Sequence, residues 1–377
     1  MSAPGDIPGA LARSALAQYE LQDASFELVK KWQNKHLFRV AYAGEDYLLR
    51  AYAPPHARRL EPSFSEQALR SKLIWMEALR REAGLRVPEP VRASGDALTV
   101  QASAEGLLQP HTALLLRWVP GTVKTVDTVS AEDLYLFGQH AARLHRHAES
   151  YAHPEGFFRP RWDWNRLFGE RARLWRVGRR AFSEGEMRVF AAIAERSQRD
   201  LGKMGKNRKT YGVVHRDLQP ENIVFGGGGA AAIDFEGCGW SYYMYDLAVM
   251  LLRLEERGDD YSSLKTAMLE GYTRVRPLPP DHQRLLRTFV AMRIVDKVTV
   301  ALRIREPAKN PQSRAYLTNA VTRLEEILAA DPVPSRSMTS LLKNKFKRAR
   351  AKVYTSGGLG AAGIPAGLLE LSAAAGL

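Results

Sequence analysis

The sequence is most informative at His215-Arg216-Asp217-Leu218-Gln219-Pro220-Glu221-Asn222 and, after a short turn, at Ile233-Asp234-Phe235-Glu236. Short β-forming runs flank both stretches, so a hairpin should bring Asp234 back beside the loop that carries Asp217 and Asn222. Phosphoryl transfer requires an oriented hydroxyl, an acceptor for its proton and cations that neutralise the phosphates. Mg2+ prefers oxygen ligands, so one carboxylate and one amide oxygen suffice. The pattern therefore predicts Asn222 and Asp234 as magnesium ligands, with Asp217 facing the acceptor hydroxyl.

Length and composition indicate a globular protein of two lobes. The chain has 377 residues, of which 45% are hydrophobic and 25% charged. This is enough apolar material for a sizeable core, and more chain than one core usually organises. The single cysteine, Cys238, excludes an internal disulfide framework and a multi-cysteine metal site. The formal net charge of +14 favours anionic partners such as nucleotides.

The region before Gly121 is predicted to form a small antiparallel sheet with one helix. Apolar, aromatic and β-branched residues predict a three-stranded meander over Phe26–Val29, Leu37–Tyr42 and Tyr47–Tyr52. In the helix that follows, Ser63 and Glu66 have capping-box spacing, and Gly84 ends the helical pattern. Two more extended segments, the second at Leu114–Val119, bring the predicted number of strands to five.

The region after Gly121 is predicted to be mainly helical. Apolar residues recur at helical spacing in Glu132–His147, Arg166–Val177, Glu184–Met204, Asp246–Arg257, Leu264–Arg276, His282–Glu306 and Ser313–Ala330. Short β runs interrupt them at Gly212–Val214, Ile223–Phe225 and Ala231–Asp234. We therefore predict four parts: an N-terminal extension (1–25), a nucleotide-binding N-lobe (26–120), a catalytic C-lobe (121–334) and a basic tail (335–377).

The combined spacing resembles the catalytic core of the aminoglycoside phosphotransferase and choline kinase superfamily, whose members are distant relatives of protein kinases. That core carries His-x-Asp-x-x-x-x-Asn followed by Ile-Asp-Phe, and both patterns occur here, starting at His215 and Ile233. Further similar segments are Tyr47–Arg50, Leu115–Gly121, Ala142–His145 and Tyr245–Ala248. The resemblance implies an α+β, protein-kinase-like two-lobe fold, with a small antiparallel β-sheet N-lobe and a mainly helical C-lobe.

The resemblance also implies catalytic roles for matching residues. Asp217 is the expected catalytic base, and Asn222 and Asp234 are the expected ligands of Mg2+. Asp246 resembles the buried aspartate that braces the catalytic loop in this superfamily.

A second set of matching residues is expected to bind the nucleotide, ATP or alternatively GTP. Arg50 is expected to contact the phosphates. Asn34 lies in the turn that covers the phosphates in such enzymes, although that turn has no glycine here. The backbone at Leu116 and Trp118 is expected to meet the base.

Two departures from the superfamily pattern concern the phosphate-binding cation. Arg50 replaces the usual lysine, but it keeps a permanent charge and offers a fork for phosphate oxygens. Where a helical carboxylate would hold this cation, the sequence has Lys72, which the helical period turns roughly inward. Lys72 cannot pair with Arg50. Either Glu66 or Glu77 is therefore the partner, or two cations face the phosphates directly.

The predicted activity is Mg-dependent transfer of the γ-phosphate of ATP or GTP to a hydroxyl of a small molecule. The alternative is a bacterial stress-response-type protein Ser/Thr kinase. It is disfavoured because little chain separates Asp234 from Asp246 for a peptide-seating segment, and because Gln219 stands where protein kinases carry a lysine. A nucleotide-binding pseudokinase is disfavoured because base and metal ligands are all present. Polycationic aminoglycosides require an acidic lining, whereas this chain is basic; homoserine, choline, sugars and thioribose stay open.

The two ends of the sequence bear on the expected cellular location and on further partners. A cytoplasmic location is expected, because no secretory signal pattern begins the sequence and no segment supplies about 20 strongly apolar residues. The cationic run Lys343–Lys352 can contact an anionic membrane. Its one aromatic residue, Phe346, gives no support for specific nucleic-acid binding.

The basic tail is predicted to be dispensable for phosphoryl transfer, because every catalytic candidate precedes it and Pro332 and Pro334 mark a boundary. We expect a chain ending at Asp331 to keep its kinetic constants and to lose salt-sensitive binding to anionic vesicles. Steady-state kinetics and vesicle co-sedimentation measure the two effects. A truncated protein that folds but has no activity would contradict this boundary.

Overall fold

The computed structural model of the protein describes residues 6–32, 34–54, 62–303 and 311–330. The predicted basic tail lies outside these ranges. The helices of the described residues are α1 Ile7–Gln18, α2 Glu66–Ala83, α3 Ala131–Ser150, α4 Trp164–Phe168, α5 Arg173–Val177, α6 Glu184–Met204, α7 Met244–Leu254, α8 Tyr261–Thr273, α9 Pro280–Arg284, α10 Leu286–Ala301 and α11 Pro311–Ala329. Their strands are β1 Ser25–Trp32, β2 Lys35–Tyr42, β3 Glu45–Tyr52, β4 Pro90–Val91, β5 Val100–Ala102, β6 His111–Arg117, β7 Thr122–Val123, β8 Tyr211–Val214, β9 Ile223–Gly226, β10 Gly229–Ala232 and β11 Gly239–Tyr242.

The described residues form two compact units. The first contains the chain up to Arg161 and, in addition, Tyr211–Leu278. The second contains Trp162–Thr210 and the described residues from Pro279 onward, which is the helical remainder of the chain. All predicted site residues belong to the first unit.

The N-terminal part of the first unit is an antiparallel sheet with the strand order β1-β2-β3-β6-β4, in which β5 also pairs with β6. The predicted meander is confirmed as β1, β2 and β3. In β3, Arg50 lies opposite Leu37 of β2 on one side and Leu114 of β6 on the other. The sheet therefore holds the backbone of Arg50 between two neighbouring strands.

Helix α1 packs on this sheet, and the sequence interpretation did not identify it. Asp6 caps its N-terminus by accepting a hydrogen bond from Gly9 N at 2.9 Å, and Pro8 occupies the first turn, where its missing N–H costs nothing. Leu11 and Leu16 are fully buried and share the core of the sheet strands. The predicted N-terminal extension thus contributes apolar side chains to that core.

Helix α2 begins two residues later than the predicted capping box implied. Ser65, not Ser63, is the N-cap, and its side chain accepts a hydrogen bond from Ala68 N at 3.2 Å. Ser63 instead is buried in a single 3-10 turn that precedes the helix. Gly84 adopts the left-handed conformation with φ 58° and ends the helix, as predicted.

The predicted helices are confirmed for most segments, and two helices and one strand are wrong in detail. Helix α6 has the predicted bounds, whereas the segment predicted as one helix over Arg166–Val177 is α4 and α5, because the backbone turns extended at Gly169. The segment predicted from His282 is divided into α9 and α10. The strand predicted to reach Asp234 ends at Ala232 as β10.

Close packing in the first unit relies on two glycines. A Cβ on Gly138 of α3 would lie 2.1 Å from Met268 O, and a Cβ on Gly271 of α8 would lie 2.0 Å from Tyr135 O. Either substitution would force the two helices apart. Among the described residues, none of the helices is both long and apolar enough to span a membrane.

Candidate active site

The loop between β8 and β9 carries Asp217 and Asn222. Asn222 Nδ2 donates to the backbone oxygen of Asp217 at 2.9 Å and to Asp217 Oδ2 at 3.0 Å. The amide nitrogen of Asn222 is thereby committed to orienting Asp217, which leaves its Oδ1 as the atom for another partner. The predicted base and the predicted amide ligand are therefore one hydrogen-bonded unit.

Asp246 holds this loop by hydrogen bonds to its backbone, as the superfamily resemblance implied. Its carboxylate accepts from His215 N at 3.0 Å and from Arg216 N at 2.5 Å, and it is fully buried. Arg216 has φ 74°, a left-handed conformation that a non-glycine residue adopts only at a cost of about 1–2 kcal/mol. The two charge-assisted bonds to Asp246 stabilise this strained backbone directly before Asp217.

His145 of α3 completes the support of Asp246. Its Nε2 lies 3.1 Å from Asp246 Oδ2, and its Nδ1 lies 2.9 Å from the hydroxyl of Tyr272. Burial lowers the pKa of His145, although the nearby Asp246 acts in the opposite direction. The neutral ring therefore donates through Nε2 to the carboxylate and accepts from Tyr272.

Asp234 lies beside the loop because the hairpin of β9 and β10 returns the chain to it. Ile233 N donates to Asn222 O at 2.9 Å, and Asp234 then takes a left-handed conformation with φ 62°. The side chain of Asp234 is 38% exposed, so one of its oxygens stays accessible while the other accepts from Arg50. A backbone hydrogen bond of the hairpin therefore holds the two predicted metal ligands, Asn222 and Asp234, close together.

The donor set fits a hard cation that also uses phosphate and water ligands. Within the described residues, no group of three or more His, Cys, Asp or Glu side chains is arranged to hold a metal by itself. One accessible carboxylate at Asp234 and one amide oxygen at Asn222 are, by contrast, what Mg2+ takes from proteins when a nucleotide supplies other oxygens.

The acid partner of Arg50 is Glu236, which the sequence analysis did not propose. Arg50 Nη1 donates to Glu236 Oε1 at 2.5 Å and to Asp234 Oδ1 at 2.8 Å. Both helical candidates are excluded: Glu77 pairs with Arg92, and Glu66 is exposed in the first turn of α2. Arg50 is thus held by the segment that follows the hairpin and not by the helix.

Glu236 is in contact with two cations and a hydroxyl group. Lys35 Nζ lies 2.8 Å from its Oε2, and the hydroxyl of Tyr52 donates to its Oε1 at 2.7 Å. Burial alone would raise the pKa of Glu236, but the charges of Arg50 and Lys35 hold it far below its usual range. Glu236 is therefore ionised and ties the β1–β2 hairpin to β3.

Lys72 lies close to the same cluster with its side chain buried. It is 2% exposed, which confirms the predicted inward orientation, and its Nζ lies 5.5 Å from the centre of the Tyr52 ring. Burial lowers the pKa of Lys72 to about 7, while the negative charge of Glu236 raises it. Burial disfavours the protonated form of such a lysine, and a nearby negative charge favours it.

Arg159 fixes the backbone of the segment that carries Glu236. It donates to Glu236 O at 2.9 Å, to Cys238 O at 2.8 Å and to Ala68 O at 2.8 Å. The last of these carbonyls belongs to α2, so one buried guanidinium joins the helix to the segment after Asp234.

The backbone that is predicted to meet the base lies at the end of β6. Trp118 N donates to Asp46 O at 2.9 Å, so this amide is already used by the protein. Arg117 N likewise donates to Glu89 O at 2.8 Å. Among the hydrogen bonds of the described chain, none involves Val119 N. Leu116 is a buried residue of β6. Contact of the base with the backbone of Leu116 and Trp118 stays a prediction, and the unused amide beside them is that of Val119.

The predicted phosphate-covering residue lies in the β1–β2 turn. Asn34 is exposed, and its backbone oxygen accepts a hydrogen bond from Ala53 N at 2.9 Å. Its neighbour Lys35, which the sequence interpretation passed over, reaches Glu236 with its side chain. The role of Asn34 stays a prediction, whereas the structure connects this hairpin to the site through Lys35.

Together these features define the class of protein. The antiparallel sheet with Arg50, the loop with Asp217 and Asn222, and the hairpin with Asp234 make a kinase-like fold with a phosphotransferase-type site. The chain matches the family described as "Phosphotransferase enzyme family" (APH) over residues 27–278. This match covers well over half of the chain, and the protein belongs to that family.

Individual relatives agree with this assignment. Amicoumacin kinase of Bacillus subtilis (strain 168) is 24% identical over 230 residues, which are 58% of this chain. The chain spans 65% of that relative's own length.

Solved structures with a similar fold include two kinases. The structure of a microcompartment-associated aminopropanol kinase has a TM-score of 0.69 at 23% identity, covering 86% of this chain and 98% of that one. The amicoumacin kinase hAmiN in complex with AMP-PNP, Ca2+ and Ami has a TM-score of 0.65 at 16% identity, covering 88% and 95%. These likenesses support the kinase-like fold.

Proposed function

We propose that the protein transfers the γ-phosphate of ATP, or alternatively GTP, to a hydroxyl group of a small molecule. The hydrogen bonds from Asn222 Nδ2 to Asp217 carry this proposal, because they hold a carboxylate and an amide oxygen together on one braced loop, which supports the roles of base and metal ligand. Asp217 is the group that accepts the proton of the attacking hydroxyl. Its orientation depends on Asn222, whose side-chain nitrogen holds the carboxylate.

Asn222 and Asp234 are the proposed ligands of Mg2+. When bound, Mg2+ supplies positive charge that neutralises the phosphate oxygens during transfer. Arg50 is the proposed cation for the phosphates. Its Nε is buried and has no hydrogen-bond partner among the described residues, so this donor becomes available to a phosphate only if the guanidinium turns. The amide of Val119 is the proposed donor to the base.

The acceptor is proposed to be a small hydroxyl compound. The relatives named aminopropanol kinase and amicoumacin kinase support this class, and the first name specifies an amino alcohol. A protein acceptor finds less support, because the chain between Asp234 and α7 consists of a 3-10 turn and the short strand β11. We include the predicted cytoplasmic location in the proposal, since ATP is the expected donor.

An acceptor panel tests the proposal. Purified protein is incubated with Mg2+ and ATP or GTP labelled at the γ-position, together with amino alcohols, homoserine, choline, sugars and thioribose. We expect transfer of label to at least one small alcohol, well above a reaction without acceptor. Label that appears only on the protein itself, or on an added protein, would instead support the protein-kinase alternative.

Substitution of Asp234 is expected to weaken nucleotide binding specifically in the presence of Mg2+. Asp234→Ala removes the accessible anionic ligand, so the gain in ATP affinity on adding Mg2+ should fall by about tenfold or more. Calorimetric titration with ATP, with and without Mg2+, measures the effect. Asp259→Ala, at an exposed position, is the matched control. An unchanged dependence on Mg2+ would remove Asp234 from this role.

A further inference from the structure

The superfamily resemblance implied that helix α2 would supply a carboxylate to Arg50, and here the signs of the charges are reversed. The helix supplies a cation, Lys72, and the segment after the hairpin supplies the acid, Glu236. Lys72 Nζ makes no hydrogen bond or close ion pair with another described residue. Glu236 is nevertheless the acid whose charge acts most strongly on it. The other charged neighbours of Lys72 are Arg50 and Arg159, both cationic.

The present contacts of Arg50 compete with its proposed task. A single nitrogen, Nη1, serves both Asp234 and Glu236. If Arg50 turns to the phosphates and Asp234 to the metal, Glu236 loses its shortest contact while its side chain is only 14% exposed. Lys35 would then be left alone to pair with a buried carboxylate that two cations contact at present, and an incompletely neutralised buried charge is destabilising unless a second cation approaches it.

Few groups can replace Arg50 at Glu236. The donors of Arg159 are committed to backbone carbonyls, including that of Glu236 itself. Lys35 binds Glu236 whether or not Arg50 does, so it cannot supply the charge that is lost when Arg50 turns away. Among the residues that the structure describes, Lys72 is the remaining cation, and its position on α2 places it beside Tyr52, whose hydroxyl contacts the same carboxylate.

We propose that Lys72 is a positioning residue of the phosphate site, which neutralises Glu236 and thereby releases Arg50 to bind the nucleotide phosphates. This inference rests on the proposed nucleotide-dependent function. It also accounts for the balance of charge. Among the described residues of this cluster, the three cations Lys35, Arg50 and Lys72 stand against the carboxylates of Asp234 and Glu236, which leaves an excess of positive charge for an anionic ligand. A carboxylate at position 72 would reverse that balance.

A double-mutant cycle on nucleotide affinity tests the inference. The probe is AMP-PNP with Mg2+, titrated calorimetrically into wild type, Lys72→Met, Glu236→Gln and the double variant. We expect Lys72→Met to weaken binding about tenfold in the wild-type background and no more than about twofold in the Glu236→Gln background, because no charge is left to neutralise. Lys72→Arg keeps the positive charge, so its affinity should stay within about threefold of wild type.

Controls separate positioning from simple loss of structure. Arg70→Met removes a cation from the exposed face of the same helix and should leave affinity unchanged. Thermal unfolding checks that each variant is folded, and Lys72→Gln takes the place of Lys72→Met in the cycle if the methionine variant does not fold. An equal loss of affinity in both backgrounds, or no loss in either, would overturn the role of Lys72. A wild-type protein that binds no nucleotide would overturn the proposed function as well.

Discussion

Asp217→Asn should reduce phosphoryl transfer by about 10²–10⁴-fold while nucleotide affinity stays within about twofold of wild type. The substitution preserves the size of the side chain and removes only its ability to accept the hydroxyl proton. Asn222 Nδ2 donates to Asp217 Oδ2 and to the backbone oxygen of Asp217, so the backbone bond stays intact in the variant. The loop should therefore keep its shape, and the loss should lie in kcat.

The measurement combines steady-state kinetics on an acceptor from the panel with titration of AMP-PNP and Mg2+. Asp259→Asn is the matched control, since it makes the same change at an exposed position. If Asp217→Asn kept activity within a few-fold of wild type, another group would have to accept the proton. A large loss of nucleotide affinity would instead indicate that Asp217 binds the metal.

The catalytic loop and the position of Asp234 beside it could be predicted because their geometry is local. Asp217 and Asn222 are five residues apart, and the hairpin that returns Asp234 is marked by two β runs and a glycine turn. Short spacing of this kind nearly determines which groups can meet. Asp246 is farther along the chain, and its role was predicted only from the resemblance of its flanking residues; the structure confirms that it holds the loop.

The partner of Arg50 could not be predicted in this way. Arg50 and Glu236 are 186 residues apart, so no helical or strand period relates them. The sequence interpretation searched α2, because a helical carboxylate is the pattern that the resemblance implied. Glu236 directly follows Ile-Asp-Phe, and its closeness to Asp234 was the available signal. Arg159 was missed for the same reason, since its partners are backbone carbonyls that leave no mark in a sequence.

Two local features were missed although their signals were present. Helix α1 has a capping aspartate, an early proline and apolar residues at helical spacing, but the stretch is too short and too weakly amphipathic to stand out before its packing is known. At α2, two serines precede the helix, and the geometry of the 3-10 turn decides which of them caps it. Tertiary packing settles both cases.

The second large effect is expected at Asp246, where a change should reduce stability and activity together. Its carboxylate accepts from two backbone amides and lies beside His145, all in a fully buried setting. Hydrogen bonds to charged groups contribute about 1.5–3 kcal/mol each, so Asp246→Ala should lower the free energy of unfolding by about 3–5 kcal/mol. This is a large share of the ~5–15 kcal/mol that stabilises a typical domain.

Asp246→Asn separates the two effects. An asparagine keeps one acceptor oxygen but turns an N–H2 group toward a backbone amide, so one of the two supports of the loop is lost while most of the packing remains. We expect this variant to stay folded at 25 °C and to lose at least about 100-fold in kcat, because the strained backbone of Arg216 can relax and move Asp217. Chemical denaturation and steady-state kinetics measure both quantities, with Asp281→Asn, on an exposed carboxylate, as control. A folded Asp246→Asn protein with wild-type kcat would show that the position of Asp217 does not depend on this carboxylate.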